Sequence, residues 1–184
     1  IANGYNFKKK YGEIIAEIYA NGQTLGEVTS SVYRNTNALR SKGFKRYLDR
    51  NIHLNAQFPP GSPIKVRFYI TKDEYDRLDA DIYSQVNSLT DLNIFREPGA
   101  CQANLVDATN LITPTFRDPW ALKGYVLQSD NITGFSTFYF AAQNLTLPLE
   151  LLTFSGLYKN GASHLKWQTS NENNTDHFVI ERSI

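Results

Sequence analysis

Ile64-Lys65-Val66-Arg67-Phe68-Tyr69-Ile70-Thr71-Lys72-Asp73-Glu74 carries the strongest structural signal in the chain. Successive side chains of an extended strand point to opposite sides, so Ile64, Val66, Phe68 and Ile70 share one face and Lys65, Arg67 and Tyr69 the other. A strand with one apolar face must bury it, and residues 64–70 therefore predict a half-buried strand of a layered β protein. Thr71-Lys72-Asp73-Glu74 fits a capping box, in which hydroxyl and carboxylate satisfy free amides at a helix start. A helix is predicted over 72–84, with Tyr75, Leu78 and Ile82 as its apolar stripe and Asp73, Asp76, Arg77 and Asp81 turned to water.

Working outward toward the N-terminus, Asn21-Gly-Gln-Thr-Leu-Gly26 is a turn signal between two β-like runs. It predicts a hairpin of residues 13–20 and 26–34, the second alternating Val28, Ser30 and Val32 against Thr29, Ser31 and Tyr33. A further strand or two falls in 44–54 before Pro59, Pro60, Gly61 and Pro63 break the pattern. Toward the C-terminus, Ser88 to Asp91 predicts one helical turn and Leu92 to Arg96 a strand. Residues 98–119 read as a long connection with one strand at 110–113. Strands resume at 124–128 and 135–141, with Asp130, Asn131 and Gly134 as the turn between them. The fold expected is mainly β: an antiparallel, Ig-like β-sandwich with one short helix over residues 1–142, a linker at 143–148, and a partial second β-sandwich over 149–184.

At 184 residues the chain has room for one ordinary domain and a fragment. It opens on Ile1 and lacks methionine, which predicts a piece of a longer polypeptide. Apolar residues make up 41% and charged residues 20%, a globular balance, and no apolar run approaches the roughly 20 residues of a bilayer span. Cys101 is the single cysteine, so neither an internal disulfide nor a cysteine zinc cluster can form within the chain. The net charge of +1 hides an asymmetry: residues 1–70 hold eleven Lys and Arg against four Asp and Glu, and residues 71–184 eight against fourteen. A basic first third could draw an acidic polysaccharide or nucleic acid. The reading adopted is that its strands pair beside the acidic segments and the field cancels, so nucleic acid is not an expected partner.

Leu147-Pro-Leu-Glu-Leu-Leu-Thr-Phe-Ser-Gly156, then His164-Leu-Lys-Trp-Gln-Thr169 and His177-Phe-Val-Ile-Glu-Arg-Ser183, resemble the opening of a fibronectin-type-III-like domain. The resemblance is strongest to those near the C-termini of large surface and secreted proteins of Bacteroidetes. It implies a core position for Trp167, a third strand ending at Glu181-Arg182-Ser183, export by the type IX route, and residence outside the cell or on its surface. Residues 1–142 are similar to the module often placed just upstream there, on the Asn-Gly turn, Tyr47-Leu-Asp-Arg-Asn51, Val66-Arg-Phe-Tyr69 and Gly134-Phe-Ser-Thr-Phe138. A fibronectin-type-III sandwich needs seven strands and this chain stops near a third, so open edges at 149–184 could pair with another copy. Matches to the Asn-x-Thr acceptor pattern at Asn131, Asn144 and Asn173 are read as chance in a bacterial protein.

No metalloprotease, nucleophile-elbow, phosphate-loop or dinucleotide motif occurs in the chain. A glycosidase needs only two carboxylates about 5 to 10 Å apart; Glu13 and Glu17 share a strand face, but four strand residues separate them by about 13 Å. Asp76, Asp79 and Asp81 suggest calcium, yet a helix would scatter them around its axis. His53, His164 and His177 have no second histidine at ligand spacing, and neither metal nor cofactor is expected. Among the aromatics, Tyr69 beside Lys65 and Arg67 is the best candidate platform for a polysaccharide, while Phe138-Tyr-Phe140 reads as a strand covered on both faces. Three functions follow: a non-catalytic accessory or spacer module acting on neighbouring domains of the same polypeptide, a carbohydrate-binding or adhesive module, and a domain associated with an unrecognised glycoside hydrolase.

Overall fold

The computed structural model describes residues 4–8, 14–42, 45–106, 110–143, 151–169 and 180. The chain divides into two compact units, Ile1–Gln143 and Asn144–Ile184.

In the first unit the strands are β1 (Gly4–Lys8), β2 (Ile14–Tyr19), β3 (Val28–Arg34), β4 (Ser41–Lys42), β5 (Lys45–Arg46), β6 (Arg50–Ala56) and β7 (Ile64–Thr71). Helix α1 (Lys72–Asp79) and a 3-10 turn (Leu89–Asp91) follow, then β8 (Leu92–Glu97), β9 (Leu111–Ile112), β10 (Phe116–Trp120), β11 (Gly124–Ile132) and β12 (Thr137–Ala142). They form two five-stranded antiparallel sheets, β1-β2-β7-β11-β10 and β3-β6-β12-β8-β9, with β4 and β5 as a small separate hairpin. The expected antiparallel sandwich with one short helix is present. Its core is drawn from the inward faces of both sheets: Phe68 of β7 meets Phe138 and Phe140 of β12, with ring centroids 4.7 and 5.6 Å apart. Tyr139 is buried with them, so β12 is covered on both faces.

The strand read from Ile64 onward is the middle of the first sheet, paired with β2 on one side and β11 on the other. Thr71 caps α1 as expected: its Oγ1 accepts from the Glu74 amide while Glu74 Oε2 accepts from the Thr71 amide. The helix is shorter than its pattern suggested, ending at Asp79. Tyr75 and Leu78 are buried, but Ile82 is 85% exposed. Asp81 accepts from the Tyr83 amide and turns the chain, and Val86 enters the core instead. A polar side chain that bonds its own backbone competes with the next helical turn, which periodicity does not register.

The expected hairpin of 13–20 and 26–34 does not form. Within its described residues, β2 lies in one sheet and β3 in the other, paired with β7 and β6. The Asn21-Gly22 turn is real, with φ of +52° and +82°, but it is a corner. Gln23 accepts from the amides of Gly61 and Ser62 and donates to Ser62 O, binding the corner to the β6–β7 connection, while Leu25 is wholly buried. The link between β11 and β12 likewise crosses between sheets, and β11 runs through the expected turn at Asp130 and Asn131 as far as Ile132. The connection at 98–119 contains a strand the pattern missed, β10, an edge strand carrying Pro119.

The second unit is a hairpin of β13 (Leu151–Lys159) and β14 (Ala162–Thr169), turned at Asn160-Gly161 with positive φ at both residues, as a tight two-residue turn requires. Phe154 is opposite Trp167 and Gly156 opposite Leu165, so one face of the hairpin is apolar. The expected third strand at 177–183 lies outside the described residues save Ile180. No described helix is long and apolar enough to cross a membrane.

Candidate functional site

Lys65, Arg67 and Tyr69 do share the outer face of β7, as the alternation predicted, but they do not make an open platform. Tyr69 is only 7% exposed. Its hydroxyl donates to Glu17 Oε2 at 2.9 Å, and its ring meets that of Trp120 at 4.9 Å and 69°. Arg67 donates to Gln128 Oε1 at 2.8 Å and pairs with Glu17. Lys65 is 3.9 Å from Asp130, and both cations lie against the Tyr19 ring. The side chains expected to hold a ligand hold each other. Periodicity assigns a face; it does not say what the neighbouring strands place on it. Burial, reinforced by the hydrogen bond to Glu17, pushes the Tyr69 phenol up to about 12, so it stays a donor.

The aromatic that borders an open cleft beside Tyr69 is Trp120, which the sequence reading passed over. It ends β10 opposite Gly124 of β11, across a tight turn closed by the Lys123 amide donating to Trp120 O. A Cβ on Gly124 would fall 1.9 Å from Ile70 O, so the close pairing of β11 with β7 there requires glycine. The Lys72 amide donates to Lys123 O at 3.0 Å and ties this turn to the start of α1. Between them opens a cleft of about 350 Å³ whose walls include Trp120, Tyr69, Ile14, Lys72, Asp73 and Lys123. Trp120 is half-buried, Lys123 Nζ is 5.6 Å from its ring, and Leu122 at the tip of the turn is 96% exposed. The signal available in the sequence was Asp118-Pro119-Trp120-Ala-Leu-Lys-Gly124: proline marks an edge strand and Lys-Gly a turn, which together place a tryptophan at a sheet corner.

The acids considered for calcium go to separate partners. Asp76 pairs with Lys72, Asp79 accepts from Tyr75, and Asp81 pairs with Arg46; among the described residues no three metal-ligating side chains gather. Glu13 and His177 lie outside the described residues. His53 is bonded to Thr137 Oγ1 at 2.9 Å and His164 is exposed. Cys101 is half-buried. Pairing takes up part of the charge asymmetry: Arg34 and Arg50 meet Glu74, Arg46 meets Asp81, and Lys65 meets Asp130, each a cation from the basic first third against a later acid. Comparison with protein-family models, with curated proteins and with solved structures finds no match to this chain.

Proposed function

We propose that this chain is a non-catalytic accessory module of a secreted or cell-surface polypeptide, holding neighbouring domains of that polypeptide at a set separation. The observation that carries the reading is the closure of the outer sheet face, where Glu17 gathers Tyr19, Arg67 and Tyr69 and Asp130 accepts from Gln128 and Thr115. Polar groups saturated by one another stiffen a sheet and leave little to offer a substrate. A charged face that cancels internally also suits a module that must not adhere to its neighbours. Secretion is supported by the resemblance of residues 147–183 to the fibronectin-type-III-like domains of exported Bacteroidetes proteins. That same stretch, with Phe154 and Tyr158 largely exposed on β13, is where self-association would occur.

The test is replacement. Exchanging residues 1–143, in the polypeptide that carries them, for an unrelated rigid sandwich of equal length should preserve activity on surface-bound targets, whereas deleting them should reduce it. Loss of activity on replacement equal to that on deletion would sink the spacer reading. Release of reducing ends from xylan, cellulose or chitin by the isolated chain would replace it with the hydrolase. The carbohydrate-binding reading is favoured by one observation, the Trp120 cleft.

A further inference from the structure

The geometry points to the cleft beside Trp120 as a binding site for a short saccharide segment, with the indole as stacking surface and Asp73 and Lys123 as partners for sugar hydroxyls. This goes beyond the accessory role and does not depend on it. A pyranose ring presents a face of C–H groups with partial positive charge, which an indole face attracts while shedding water from both. The volume of about 350 Å³ sits at the small end of ligand pockets and suits roughly one or two sugar rings.

The wall chemistry selects among ligands. Of the charged groups in the walls, Arg50, Lys72, Lys123 and Asp73, Arg50 is paired with Glu74 and Lys72 with Asp76, which leaves Lys123 and Asp73: an ammonium and a carboxylate that can donate to and accept from neighbouring hydroxyls. Leu122, 96% exposed on the adjoining turn, extends the apolar surface over which a second ring would lie. The site is also held in place before any ligand arrives. Trp120 is braced by the Tyr69 ring at 4.9 Å, Tyr69 is fixed by Glu17 at 2.9 Å, and the turn carrying Lys123 is hydrogen-bonded to the Lys72 amide. An aromatic on a rigid turn loses little entropy on binding.

The whole chain carrying Trp167→Phe leaves Trp120 as its single fluorophore of that type. It should be titrated with xylohexaose, cellohexaose, chitohexaose and a galacturonan hexamer, with retention on insoluble xylan, cellulose and chitin measured in parallel. The expected result is a saturable change in tryptophan emission with at least one of these, an affinity loss of about tenfold or more in Trp120→Ala, and a smaller loss in Asp73→Ala and Lys123→Ala. The last two alter exposed side chains and should leave the melting temperature unchanged. Absence of a saturable response to all four probes, or retention that survives Trp120→Ala, would overturn the inference. So would a response confined to a decaproline peptide, which would make the cleft a peptide groove. Failure to bind without release of reducing ends overturns this site alone, while release of reducing ends overturns the accessory reading.

Discussion

Glu74 Oε2 accepts from Arg50 Nε at 2.9 Å, with the Glu74 side chain fully buried and that of Arg50 3% exposed. One residue belongs to the first turn of α1, after a strand of the first sheet, and the other to β6 of the second sheet. Arg50 also donates to Tyr69 O, and Arg34 approaches Glu74 from the solvent side at 3.1 Å. The carboxylate that caps the helix thus joins the two layers at one end of the sandwich.

Glu74→Gln should therefore be severe. It leaves the Arg50 charge buried against a neutral amide, and loss of one partner from a buried pair costs about 3–5 kcal/mol. Arg34→Ala removes a cation that is 41% exposed and should change stability by less than about 1 kcal/mol. Urea unfolding of the two variants checks the contrast; equal effects would mean that Glu74 acts through its cap alone.

Gly124→Ala should be among the worst glycine substitutions, because its Cβ would meet the Ile70 carbonyl at 1.9 Å and φ is +157°. Gly22 has φ of +82° with nothing near its added Cβ, so Gly22→Ala carries backbone strain alone, about 1 kcal/mol. Circular dichroism melts should show Gly124→Ala misfolded or far less stable, and Gly22→Ala cooperative with a modest shift.

Removal of the Phe68 ring empties the point where the sheets meet, next to Phe138 and Phe140. Phe68→Ala should cost about 3–5 kcal/mol, against less than about 0.5 kcal/mol for Leu122→Ala at a fully solvated position. A Leu122 variant that destabilised as much would show its turn to be packed in solution.

Alkaline pH supplies an independent check. Burial pushes the phenols of Tyr69, Tyr75 and Tyr139 up to about 12, against about 10 in the unfolded chain. A phenol raised on folding favours the neutral, folded form, so stability is undiminished below pH about 10 and falls between about 10 and 12 as the unfolded chain ionises first. Phenolate absorbance should show a late-titrating group of tyrosines that ionise together with loss of the near-ultraviolet dichroism. Titration of all tyrosines near 10 in a still-folded chain would contradict this.

Local features were legible in the chain itself. The strand beginning at Ile64, the Thr71–Glu74 capping box, the turn before Leu92 and the doubly covered Phe138–Phe140 segment depend on neighbours within four residues, where alternation and hydrogen-bond chemistry are decisive. Ile82 was misplaced because Asp81 draws the backbone out of the helix although the apolar spacing continues. Tyr69 was correctly placed on the outer face but read as open, since its cover comes from Glu17 and Trp120, 52 and 51 positions away. Trp120 was missed because an edge strand with a proline and no alternation resembles a loop.

By itself the sequence determined which segments extend, which one coils, and that extended segments with one apolar side must form facing layers; water enforces that at every residue independently. The partners of those segments were decided by the tertiary structure. The Asn21-Gly22 turn is satisfied equally by a hairpin or by a corner, and the choice rests on Gln23 reaching the amides of Gly61 and Ser62 while Leu25 fills the space between sheets. The same holds for the site. Charges and aromatics are written in the chain, but whether a given one faces a ligand or another side chain depends on contacts among residues far apart in sequence, whose free energies no single segment contains.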